Sequence, residues 1–101
     1  MSAAIVQINF SFNVPVSEQV QGSIDKADMF NQVDGLLWKV WLLDEAEHIS
    51  GGIYLFEDRE RARAYADGDI VAELCRRCPD ISVRVFDVME QPSRITRAPL
   101  P

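Results

Sequence analysis

Lys39 is the one charge in the run Leu36-Leu37-Trp38-Lys39-Val40-Trp41-Leu42-Leu43. An ammonium in so apolar a stretch has two natural fates. Its stem can snorkel to a sheet edge and leave the charge in water. Alternatively it sits in a cavity, where desolvation lowers its pKa and the charge can hold a phenolate or enolate. Trp41, two residues on, shares the Lys39 face of a strand and would stack an aromatic ring. Trp38 then points the other way, into the core. Tyr54 follows Gly51-Gly52, where absent side chains let a backbone or a ligand approach closely. Its hydroxyl is a candidate proton carrier, and its ring could equally be interface packing. His48 is the only histidine and titrates near neutrality without help, although its place at a connector end also suits a plain surface residue. Arg84 either pairs with Asp87 or Glu90 on the surface or fixes an anionic substrate group. Gln7 and Asn9 form a polar row that needs hydrogen-bond partners if its face is covered. Phe86 extends that face.

Other chemistry finds less support. Cys75 and Cys78 close an apparent helix just before Pro79. A thioredoxin-type pair belongs at a helix N-terminus, where the dipole favours a thiolate. A tetrahedral zinc site needs two further ligands, and His48 is the lone histidine. The cysteines therefore read as ordinary helix-end residues, with no metal site. Neither a flavin fingerprint, a glycine-rich phosphate loop nor a metal triad is visible, so no cofactor is expected.

The elements that must position these groups follow from periodicity. Ala4 to Phe12 alternates, with Val6, Ile8, Phe10 and Phe12 on one side and Gln7, Asn9 and Ser11 on the other. Asn13 and Pro15 end that strand. Ser17 is a candidate N-cap for a helix with an apolar stripe from Val20 to Val33, weakened by Gly22 and stopped by Gly35. Leu36–Leu43 is a dense strand, joined by a short polar link to a third strand from about His48 to Phe56. Asp58 caps a second helix, interrupted at Asp67-Gly68-Asp69 and continued to Cys78. A last strand spans Ile81–Met89. Residues from about 90 to 101, with three prolines and two arginines, read as a tail without an element of their own.

The order strand, helix, strand, strand, helix, strand makes a ferredoxin-like α+β domain over residues 1–101. Its four-stranded antiparallel sheet carries both helices on one face. The opposite face is then expected to carry Gln7, Asn9, Lys39, Trp41, Tyr54, Arg84 and Phe86. Such a face is too apolar for water and too polar for a dry core, which suits a cavity or a partner's surface. At 101 residues the core is small, so pairing with a second copy would add stability. The net charge of −6 argues against nucleic acid and against an anionic membrane surface. The first twenty residues hold no Lys or Arg and alternate in polarity, unlike a signal peptide or a span. A cytoplasmic protein is expected.

Three strings together resemble the YdhR-type monooxygenase family: Leu36-Leu37-Trp38-Lys39-Val40-Trp41, Gly51-Gly52-Ile53-Tyr54-Leu55-Phe56, and Val85-Phe86-Asp87-Val88 with Glu90 and Ser93 downstream. The resemblance runs in register from the first strand to about Ala98. It implies a dimeric α+β barrel, two sheets facing each other with a pocket inside each subunit. It also implies kinship with cofactor-independent oxygenases acting on aromatic or polyketide-like substrates, here expected to be a small aromatic or enolisable molecule, and brings no accepted catalytic residue with it. On that reading Lys39 stabilises a substrate anion, His48 or Tyr54 moves the proton, and Trp41 and Phe86 sandwich the ring. Gln7, Asn9 and Arg84 complete the binding face. The same groups would serve an isomerase or lyase that only shuttles protons, or a pocket that binds without turnover.

Overall fold

The computed structural model describes residues 2–101. Four strands form one antiparallel sheet: β1 (Ala4–Ser11), β2 (Leu36–Asp44), β3 (Ile49–Phe56) and β4 (Ser82–Asp87), in the spatial order β2-β3-β1-β4. With the helices α1 (Val16–Ala27), α2 (Arg59–Ala66) and α3 (Asp69–Arg77) between them, this is the ferredoxin-like βαββαβ arrangement, the unit from which dimeric α+β barrels are built. No helix among the described residues is long and apolar enough to cross a membrane.

The core lies on one face of the sheet. Ala4, Val6 and Ile8 of β1 and Tyr54 and Phe56 of β3 pack against Ala62 and Tyr65 of α2 and Val71 of α3. Asp58 caps α2 as expected, its carboxylate accepting from the Arg61 backbone N–H at 2.8 Å. The second helix does break at Gly68, giving α2 and α3. Cys78 stands at the C-cap of α3.

Three local expectations are corrected. Ser17 is not the N-cap of α1, because the carbonyl of Pro15 already takes the first helical bonds from Glu18 and Gln19. Nor does that helix run on to Val33. It tightens at Asp28–Gln32 into a 3-10 helix that turns Phe30 inward, and Gly35, at φ 77°, reverses the chain into β2. The tail contains a short helix, α4 (Glu90–Ile95). Glu90 anchors it by accepting from the Ala3 backbone N–H at 2.7 Å.

The largest difference is in β2. Leu36 pairs with Phe56 but Trp38 pairs with Leu55, so Leu37 is an extra residue at a bulge. Side chains alternate along a strand, and one inserted residue reverses the parity of all that follow. Lys39 and Trp41 therefore face the helices, and Trp38 faces away, opposite to the simple alternation. Tyr54, paired with Lys39 on one side and Val6 on the other, joins them on the helix face.

Candidate functional site

Lys39, Trp41 and Tyr54 come together, and the 3-10 helix brings Phe30 to meet them. The Lys39 Nζ lies 3.1 Å from the centroid of the Trp41 ring, 3.7 Å from Phe30 and 4.5 Å from Tyr54. Phe30 and Trp41 meet edge to face at 5.3 Å between centroids. Three aromatic faces thus enclose one ammonium. Their quadrupoles attract it, by about 2 kcal/mol where water is excluded. None of the ion pairs among the described residues involves Lys39. Burial is the main cause, and the neighbouring Lys26 charge the second, that brings its pKa down to about 7. Near neutral pH this side chain can be either an ammonium or a free amine.

Gly52 makes the cage possible. It pairs with Trp41 across the strands, and a Cβ there would stand 2.8 Å from the Lys39 Cε and 3.2 Å from the Tyr54 ring. The missing side chain is the room into which the lysine stem folds. Gly51 has a different task, since at φ 158° it lets β3 approach the Ile8 carbonyl of β1.

The cage opens into a cavity of about 740 Å³ between the sheet and the helices. Trp41, 37% exposed, forms part of its wall. Tyr54 and Tyr65 close the inner end, their ring centroids 5.1 Å apart. Burial, and then the adjacent Tyr65, push the Tyr54 phenol far above its ordinary range, so it remains a proton donor at physiological pH. Helix α1 forms the roof with Gln19, Gly22, Ser23 and Lys26, and α3 contributes Ile70 and Leu74. Glu18, Asp69 and Arg77 also line it, with the ion pair Arg76–Glu73. The cavity is mainly apolar with a few polar groups, the character expected of a small-molecule site.

The other candidates lie elsewhere. Gln7, Asn9, Arg84 and Phe86 occupy the opposite sheet face, as the alternation of β1 and β4 required, and so do not line this cavity. There Gln7 Nε2 donates to Asn9 Oδ1 at 3.1 Å, and the Arg84 guanidinium lies 5.6 Å from the Phe86 ring centroid. The surface pairs considered for Arg84 are taken by others, Asp87 by Arg59 and Glu90 by Arg94. His48 sits in the β2–β3 turn at φ 54°, exposed and stacked at 4.8 Å on Phe12, remote from the cage. The sandwich of Trp41 and Phe86 is therefore corrected: they are on different faces, and Phe30 is the ring opposite Trp41. Phe30 and Tyr65 were hidden in the sequence as members of ordinary apolar stripes. No group of three or more His, Cys, Asp or Glu side chains that could hold a metal ion occurs among the described residues.

Comparison with known proteins adds a family and a fold. The family model described as "Putative mono-oxygenase ydhR" matches residues 5–99. No curated protein sequence matches the chain. Among solved structures, a protein of unknown function from Nitrosomonas europaea superposes with a TM-score of 0.71 at 14% identity. That match covers 100% of this chain and 96% of the other. The cofactor-independent oxygenase SnoaB from Streptomyces nogalater, in a mutant form, superposes with a TM-score of 0.61 at 16% identity, covering 89% of this chain and 95% of its own. At those identities the likeness is one of fold.

Proposed function

The chain belongs to the ydhR family, and on that footing we propose that it is a cofactor-independent monooxygenase whose substrate, a small aromatic or enolisable molecule, binds in the cavity beside Lys39. The observation that carries this reading is the caged lysine, an amine near its neutral point with no carboxylate partner, inside an apolar cavity. Oxygenation without a cofactor needs a substrate anion rich enough in electrons to react with dioxygen directly. A free Lys39 amine takes the proton from a phenol or enol and becomes an ammonium, which then stabilises the anion beside it. The Tyr54 hydroxyl, held protonated, is suited to donate a hydrogen bond to the same oxygen or to the developing peroxide.

The electrons balance without an external reductant. The substrate anion gives electrons to dioxygen, a carbon–oxygen bond forms, and the resulting peroxide loses water. In sum, a substrate methylene and one dioxygen become a carbonyl and one water. The methylene carbon is oxidised and both oxygen atoms are reduced; its two hydrogens leave in the water. The protein contributes a mainly apolar cavity, orientation and the proton acceptor.

Homodimerisation through the sheet face opposite the helices is part of the proposal. Val40 and Phe86 on that face are 48% and 44% exposed, and the Gln7–Asn9 bond already satisfies part of its polar row. The test of function is oxygen uptake with phenolic and methylene-bearing aromatic substrates, in wild type and Lys39→Met. Uptake that depends on Lys39 supports the reading. Turnover that consumes no oxygen would replace it with a proton-shuttling isomerase or lyase.

A further inference from the structure

Of the 10 Lys and Arg residues in the chain, only Lys26 and Lys39 are lysines. The difference matters chemically. A guanidinium keeps its charge in a protein, whereas a lysine can give up its proton and act as an amine. Both lysines, one on α1 and one on β2, line the same cavity. Every side-chain amine of the protein is therefore gathered at one place.

The two stand in different settings. Lys26 lies in the last turn of α1, on the roof. Lys39 is framed by Phe30, Trp41 and Tyr54, with no carboxylate paired to it among the described residues. The rings hold its nitrogen through the charge. Once the proton is lost that attraction lapses, and the flexible four-carbon stem is free to carry the amine toward the cavity. Burial and then the Lys26 charge favour the loss, bringing the pKa to about 7. An ordinary lysine is neutral in only about one molecule in 2,500 at that pH. A desolvated lysine next to a second cation is a general way of making a nucleophile at neutral pH.

We propose that Lys39 is a nucleophile that forms an imine with an aldehyde or ketone held in the cavity, which makes the cavity a covalent site for carbonyl compounds. The nitrogen lone pair attacks the carbonyl carbon and a carbon–nitrogen bond forms, while the oxygen gains one proton as the nitrogen sheds one. The resulting hydroxyl then leaves as water, taking the second hydrogen of the amine. Amine and carbonyl thus become imine and water, with no oxidant or reductant needed, and hydrolysis returns the free lysine. The proposal rests on the amine and the cavity alone, and not on the oxygenase reading.

Reductive trapping tests it. Benzaldehyde with sodium cyanoborohydride at pH 7 converts each imine to a stable benzylamine, which peptide mass spectrometry assigns to a residue. The folded protein should label at Lys39 about tenfold or more faster than at Lys26, reflecting the larger share of free amine. In concentrated urea the two should label alike, so the wild-type chain is its own control. Lys26→Met should slow the labelling of Lys39, because the neighbouring charge that favours the free amine is gone. Lys26 labelled as fast as Lys39 in the folded protein, no label at Lys39, or a preference that persists in urea would overturn the inference. An unchanged Lys39 rate in a folded Lys26→Met variant would overturn the part given to Lys26. Oxygen uptake plays no part in the trapping, so the oxygenase reading and this one fail independently.

Discussion

The Lys39 ammonium stands 3.1 Å from the centre of the Trp41 ring, although the two residues are neighbours but one on a single strand. Their shared face folds the lysine stem back along the sheet, and Gly52 on the adjacent strand leaves the space for it. A charge that would otherwise seek water is held by rings instead.

If Lys39 is the proton acceptor, activity should rise as pH increases through about 7, where the amine loses its proton. Lys39→Met keeps the stem and removes the base. It should lower kcat/KM by roughly 10²–10⁴-fold, the usual worth of a general base, and abolish the rising limb. A pH–rate profile of both proteins checks this.

The same group makes stability depend on pH. Lys39 titrates near 7 when folded, against 10.5 for an ordinary lysine, so between those values the unfolded chain binds the extra proton. Stability conferred on the fold therefore rises with pH across that window, and the burden of the buried ammonium is fully present below about 7. The difference in melting temperature between wild type and Lys39→Met should change from pH 7 to pH 10.5 accordingly. A constant difference would count against a desolvated lysine.

The two adjacent glycines should separate position from folding. Gly51→Ala drives a Cβ into the Ile8 carbonyl from a backbone geometry alanine rarely adopts, and should prevent β1 and β3 from pairing. Gly52→Ala meets the flexible end of Lys39, so the protein should fold while the lysine is displaced toward water. The rising limb of the pH–rate profile should then move toward higher pH.

Trp38 and Trp41 should behave differently. Trp38 Nε1 donates to the Pro99 carbonyl at 2.8 Å, tying the tail to the sheet face away from the cavity. Trp38→Phe should cost about 0.5–1.5 kcal/mol, the net worth of one hydrogen bond, speed tryptic cleavage after Arg94 or Arg97, and leave ligand binding intact. Trp41→Ala should weaken aromatic ligands of any charge. Tyr54→Ala, which empties a buried ring site, should cost about 3–5 kcal/mol in urea denaturation.

If the open sheet face joins two copies, Phe86→Glu together with Val40→Glu should yield monomers in sedimentation velocity at micromolar concentration. Wild type sedimenting as a monomer would exclude that mode of assembly.

Much of this protein was determined by its sequence alone. Alternation from Val6 onward in β1, the cap at Asp58 and the break at Gly68, and the short polar link between β2 and β3 dictate the element order, because each is a local rule of backbone geometry. The strings around Trp38 and Gly51 carry the family. The faces of β1 and β4 were legible too, since apolar and polar residues alternate there. In β2 and β3 they were not. Tyr54 and Phe56 are no more apolar than Ile53 and Leu55, so period two assigns neither pair to the core. The bulge at Leu37 leaves no mark in a run of large apolar residues, yet it decides the face of every side chain after it. Register is a property of paired strands. Only the pairing of β2 with β3 turned Lys39 inward, and only the 3-10 turn after α1 brought Phe30 across to complete the cage around it.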